Sequence, residues 1–249
     1  MARIAAADGI VVMAATPHVS ARSSQLDIGR LTCDLQAILD REGIALRLVP
    51  GAEVAATSDV VPLLVAGRLP TINRTRYVLL ELGGDVAPLL LNRHFFELQM
   101  AGFVPILAHV ERFRFTQSTP DLLADWCEHG VILQITAGSL RGEYGRSAQR
   151  LAEAVVKSEL PAIVASDAHG PVNRRPELAF VRELVMKRAG KPRAQLLLIT
   201  GPQAILDNRV FPTASEIDIH HNEFDLCKPP ADRSWHTRIA ERCARTFGY

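Results

Sequence analysis

Aromatic residues are scarce, 6% of the 249-residue chain, and no basic run is interleaved with them. That scarcity argues against the stacking platforms with which proteins hold single-stranded nucleic acid. Neither sign of charge prevails. Lys and Arg number 28 against 27 Asp and Glu, a net charge of +1, so no long-range field draws the chain toward nucleic acid or an anionic membrane. Apolar runs of membrane-spanning length are missing, and Met1-Ala2-Arg3 leads into no signal-peptide core. The expected compartment is the cytoplasm, with no membrane insertion. The glycine fingerprints of P-loops and dinucleotide-binding folds are absent as well.

Cysteine is equally sparing. Four residues, at 33, 127, 227 and 243, include no C-x-x-C pair, which argues against a disulfide framework and a zinc ribbon. Five residues separate Cys227 from Arg233, the spacing of a thiolate phosphatase. The intervening KPPAD holds no glycine, and its two prolines remove amide donors that such a loop needs to cradle phosphate. The cysteines are expected to take no part in catalysis.

What the chain has in quantity is apolar sequence in short, regular pieces. At 48% hydrophobic it can bury a full core, and one α/β barrel takes about 250 residues. Apolar runs at Ile10–Ala15, Ala45–Val49, Tyr77–Leu80, Val104–Ala108, Val131–Ile135 and Ile163–Ala165 read as six buried strands. Helical periodicity falls between them at 26–41, 60–66, 89–100, 122–128, 148–157 and 177–188, with a short helix at 202–206 and the last turns of another at Ala2–Asp8. Strand and helix in alternation predict parallel βαβ units in one domain over residues 1–211. From 212 to 249 the periodicity disappears, and this stretch is expected to be a loosely attached tail.

Five of the six strands carry His, Glu or Asp at or just past the C-terminal end. These are His18, Glu53, Glu81, His109, and Asp167 with His169. Taken singly, each could be a turn residue, a solvated imidazole or half of an ion pair. Parallel strands of one barrel, however, aim all those ends at one face, so the six side chains can share a pocket. Imidazole and carboxylate without thiolate suit Mn²⁺, Fe²⁺ or Zn²⁺, and several bridging carboxylates suggest two or three ions. Such a cluster favours hydrolysis of a phosphate ester. Arg112 and Arg175 follow ligand-bearing strand ends and are candidate bidentate phosphate clamps. For Arg174, a surface ion pair is the better expectation.

The ordered segments TPH at 16–18, GAEV at 51–54, LLE at 79–81, PILAHVER at 105–112, QITAGSL at 134–140 and SDAH at 166–169, with Arg175-Pro176, resemble the PHP-superfamily, manganese-dependent protein-tyrosine phosphatases of bacterial capsule and exopolysaccharide loci. The resemblance covers roughly residues 1 to 210. It implies a distorted (β/α)₇ barrel with metal ligands at His18, Glu53, Glu81, His109, Asp167 and His169, and phosphate binding at Arg112 and Arg175. Gln134 to Ser139 would be a strand and loop lining the pocket, without chemistry of their own. The implied substrate is the phosphotyrosine tail of a membrane-associated tyrosine autokinase. The family's opening strand with its H-x-H motif has no match, because Met1 falls where the first helix is ending. The barrel is therefore expected to lack its first strand and two imidazole ligands. On that reading the start codon lies on the order of 20 to 30 residues upstream, or the gene is a truncated copy. The chain as it stands should then be poorly soluble, weakly metallated and nearly inactive. Two other readings stay open: a non-catalytic truncated relative, and a phosphoesterase for a small ester such as histidinol phosphate.

Overall fold

The computed structural model describes residues 1–20, 27–83 and 88–213. The expectation for the tail lies outside the described residues from 214 onward, as do Cys227, Arg233 and Cys243. Helix α1 (Ala2–Ala7) leads into β1 (Val12–Ala15) and β2 (His18–Val19), followed by α2 (Ile28–Arg41), β3 (Arg47–Pro50) and β4 (Glu53–Ala55). Then come α3 (Val60–Val65), β5 (Tyr77–Glu81), α4 (Pro88–Met100) and β6 (Val104–Leu107). Helices α5 (Arg114–Ser118) and α6 (Asp121–Glu128) precede β7 (Ile132–Thr136). The chain continues through α7 (Ala137–Leu140), α8 (Arg146–Lys157), β8 (Ala162–Ala165), α9 (Ala179–Gln195) and α10 (Gly201–Leu206).

All strand pairings are parallel. The main sheet has the order β2-β4-β5-β6-β7-β8, and β1 pairs with β3 in a second, two-stranded sheet. Each of the first two expected strands is followed by a second, short strand that was not expected. Pro17 has no N–H to offer a ladder, and it separates β1 from β2. Gly51 separates β3 from β4, where a Cβ would come within 2.9 Å of the Ile72 side chain and 3.2 Å of Thr16. The chain therefore passes close to its neighbour only because Gly51 has no side chain. Among the described residues the sheet is open, with β2 and β8 as its edges.

Both faces of the sheet are apolar, as expected of parallel strands between helices. Val78, Leu80, Leu107, Leu133 and Val164 pack into the principal core with Phe95, Trp126 and Val156. The alternate residues Tyr77, Leu79, Ile106, Ile132 and Ile163 form a smaller core with Ile72 and Ile205. Period-2 alternation carries that second face upward to chemistry. Glu53 is in register with Leu79 and with His18, and Glu81 lies two residues beyond Leu79. His18, Glu53 and Glu81 therefore project from one face of the sheet, above its apolar layer.

Helix α9 begins at Ala179 rather than at 177 and continues past Arg188 to Gln195. It passes through Gly190 at φ 83 and Pro192, and a π-helical turn at Leu196–Thr200 follows. The segment after β7 is a helical turn, α7, where a loop was expected.

Candidate metal centre

Four of the expected ligands meet directly. His18 Nδ1 lies 2.9 Å from Glu81 Oε2 and 3.8 Å from Glu53 Oε2. His109 Nε2 lies 2.8 Å from Glu53 Oε1 and 3.7 Å from Glu81 Oε1. Two imidazoles thus address the same pair of carboxylates. Burial alone would raise the Glu53 carboxyl, but the hydrogen bond and charge of His109, together with the charges of His18 and Arg112, hold it below the ordinary carboxylate value. One ligand atom each from His18, Glu53 and Glu81 lies within 4.8 Å of the others. A buried ring nitrogen, His109 Nδ1, has no hydrogen-bond partner. Imidazole and carboxylate converging without thiolate fit a divalent cation of the Mn²⁺, Fe²⁺ or Zn²⁺ type.

Asp167 and His169 form the other half of the site. His169 Nδ1 is 3.7 Å from Asp167 Oδ1, and its ring centroid is 6.2 Å from that of His18, so the two halves face each other. Arg112 Nη1 lies 3.2 Å from Asp167 Oδ2, and Arg174 Nη2 bonds the same oxygen. Arg175 instead pairs with Glu177 at 2.8 Å. Arg174, expected in a surface ion pair, thus pairs with Asp167, while Arg175, expected as a phosphate clamp, pairs with Glu177, and both arginines line the adjoining cavity. Their side chains are 28% and 46% exposed, respectively.

Backbone strain accompanies these placements. His109, Asp167 and Arg174 have φ of 36°, 49° and 50°, left-handed values that cost a non-glycine residue on the order of 1 kcal/mol or more. Surrounding bonds hold them there. The His109 N–H donates to Gln134 Oε1 at 3.0 Å, and the His169 N–H donates to the Arg174 carbonyl at 2.9 Å. Gln134, expected only to line the pocket, thus fixes the turn that aims His109.

Sequence reasoning also passed over Glu111, which is fully buried at 0% exposure. Its Oε1 accepts from the Thr136 N–H at 3.0 Å and from Ser139 Oγ at 2.5 Å. It fastens the His109–Arg112 turn to the end of β7. Burial pushes its carboxyl above the ordinary value despite the hydrogen bonds from Ser139 and the backbone. Only its place inside the PILAHVER segment marked it in the sequence. Cys127 stands apart from the chemistry, since burial pushes its thiol up to about 12, far from a thiolate at neutral pH. A cavity of about 420 Å³ opens beside Asp167, bordered by Ser166, Arg174, Tyr144 and Phe180.

Residues 1–207 match the family model described as capsular polysaccharide synthesis, CpsB/CapC. Tyrosine-protein phosphatase YwqE of Bacillus subtilis is 34% identical over 177 residues, 70% of each chain. A CapC protein of Staphylococcus aureus is 32% identical over 173 residues, 68% of each. A crystal structure from the pair YwqE of Bacillus subtilis and CpsB of Streptococcus pneumoniae, metal-dependent tyrosine phosphatases, is similar at a TM-score of 0.79 and 30% identity. It covers 86% of this chain and 87% of that one. Together with the parallel α/β sheet and the His/Glu cluster, these matches place the chain in the CpsB/CapC family of capsular polysaccharide synthesis proteins.

Proposed function

We propose that this chain is a metal-dependent protein-tyrosine phosphatase of the PHP type. The observation that carries the reading is the meeting of His18, Glu53, Glu81 and His109 beside an aspartate held by two arginines. Its likeness to YwqE, a tyrosine-protein phosphatase, supports the same chemistry.

In this reading His18, Glu53, Glu81, His109, Asp167 and His169 hold two or three ions, Mn²⁺ first, with Fe²⁺ or Zn²⁺ as substitutes. Bound ions would lower the pKa of water and stabilise charge on phosphoryl oxygens. The chain's own residues supply the rest. Arg112 and Arg174 converge on one carboxylate oxygen, and their planar forks suit the oxygens of a phosphate. Arg175, engaged with Glu177, is the weaker candidate for that role. Glu111 and Gln134 fix the backbone of the turn that carries His109 and Arg112.

The proposed substrate is phosphotyrosine in the tail of a tyrosine autokinase that controls polysaccharide assembly, and the proposed compartment is the cytoplasm. No helix among the described residues is long and apolar enough to cross a membrane, so an encounter with a membrane-attached partner would depend on recruitment. The test combines metal analysis of the purified chain with hydrolysis of phosphotyrosine peptides, phosphoserine peptides and a small aliphatic ester, with and without chelator. The expected result is weakly bound metal and slow, chelator-sensitive release of phosphate, from phosphotyrosine above the other two. Preference for the aliphatic ester would replace the protein substrate with a metabolite. Turnover unaffected by chelation would remove the metal mechanism.

A further inference from the structure

Arg112 has a second contact that the proposed chemistry does not use. Its guanidinium carbon sits 4.5 Å from the centroid of the Tyr144 ring, while its Nη1 reaches Asp167 at 3.2 Å. A guanidinium stacked on an aromatic face loses rotational freedom without losing its in-plane donors, because the ring occupies the plate and leaves the edge free. Tyr144 comes from the short connection between α7 and α8, a different element from the turn that carries Arg112. A Cβ at Gly138 would meet the Glu143 carboxylate first and come within 3.1 Å of Tyr144 Cε2. The lack of a side chain at 138 therefore makes room for both the Glu143 carboxylate and the ring. Gly145, directly after it, has φ 89, a left-handed value that a glycine adopts without strain.

The same ring borders the 420 Å³ cavity along with Arg174. Tyr144 thus supports Arg112 and borders the cavity that Arg174 and Arg175 also line. Arg112 is only partly buried, 30% exposed at the side chain, so without support it would sample rotamers that point into solvent.

We propose that Tyr144 is a positioning residue: its ring holds the Arg112 guanidinium in the plane from which it binds phosphate. The proposal rests on the reading of Arg112 as a phosphate clamp. An aromatic ring at 144 is what the role requires, and the hydroxyl is dispensable. Stacking of this kind corresponds to a factor of about three to thirty in an equilibrium.

The test uses the full chain loaded with Mn²⁺ and inorganic phosphate as the probe, with affinity measured by titration calorimetry. Tyr144→Phe should bind phosphate within twofold of the parent. Tyr144→Leu, similar in bulk but without a π face, should bind about tenfold more weakly at an unchanged melting temperature. The deciding measurement is a cycle with Arg112→Lys, which keeps the charge and loses the fork. In the Arg112→Lys background, Tyr144→Leu should cost less than twofold, because the group it positions is gone. An equal loss in both backgrounds, or a Tyr144→Phe variant as weak as Tyr144→Leu, would overturn the positioning role and leave Arg112 as a clamp. Arg112→Lys binding phosphate as tightly as the parent would overturn the clamp and the positioning role together.

Discussion

Arg174 and Arg175 are adjacent in the chain and point to different partners, one to Asp167 and the other to Glu177. The backbone at Arg174 is left-handed, and no feature of the sequence VNRRPE announces that separation. Residue types in the site were legible because His, Glu and Asp at strand ends form a pattern; which of two neighbouring arginines reaches Asp167 is not part of that pattern. The expected consequence is unequal sensitivity. Arg174→Lys should lower kcat/KM by about a hundredfold, the scale of one lost charge-stabilising donor. Arg175→Lys should stay within about threefold, since exposed ion pairs contribute little. Parallel kinetics on a phosphotyrosine peptide decide it, and equal losses would return Arg175 to the clamp. Cys127 gives a residue-scale prediction of another kind. Its folded value of about 12 lies above the ordinary 9.0, so the stability linked to the half-buried thiol is intact below about pH 9 and lost only as pH climbs toward 12. At pH 8 iodoacetamide should leave Cys127 unmodified by mass spectrometry in the native chain, with phosphatase rate unchanged, and modify it after denaturation.

Elements were read well wherever an apolar run was long enough to have a period. All six expected strand positions hold strands, and the helices at 60–66, 89–100 and 148–157 correspond to α3, α4 and α8. What escaped is short or interrupted. Helices α5 and α7 have five and four residues, too few for a repeat of 3.6 to show. The far half of α9 lies past the expected end at 188, beyond Gly190 and Pro192. The chain bends there and continues, and its continuation has a task. Arg193 is buried and donates to the carbonyls of Val156 at 3.1 Å, Val155 at 3.0 Å and Leu160 at 2.9 Å. These lie at and beyond the end of α8, where the last carbonyls have no continuing helix to bond, although Val155 also accepts from the Ser158 N–H and Oγ. Burial lowers its pKa to about 10, which leaves it charged at neutral pH and suited to the negative end of that helix. Arg193→Ala should cost about 3 kcal/mol by removing the donor to the Val156 and Leu160 carbonyls, a fall of roughly 6–12 °C in Tm for a chain of this size. Activity per folded molecule should be preserved below the transition. A melting temperature within 2 °C or so of the parent would mean that water replaces the guanidinium at no cost.

At the scale of the molecule, the proposed site spans the whole main sheet. His18 stands on one edge strand, Asp167 and His169 follow the other, and Glu53, Glu81 and His109 come from strands between them. Edge strand β2 is only two residues long and pairs solely with β4 among the described residues, so its amides are guarded by few bonds and should open readily. The 6.2 Å separation of the His18 and His169 rings brings these two edges within reach of a shared ligand shell. Ions held there would act as a clasp on the protein's weakest seam. Hydrogen–deuterium exchange with and without Mn²⁺ should accordingly show the greatest slowing at 18–19 and 162–169 and little change at 132–135, in the interior of the sheet. Uniform slowing would mean that the ions stabilise the fold globally. With the graded pattern, metal supply would set the rate at which this chain frays, and with it how long the protein survives proteolysis in a metal-starved cell.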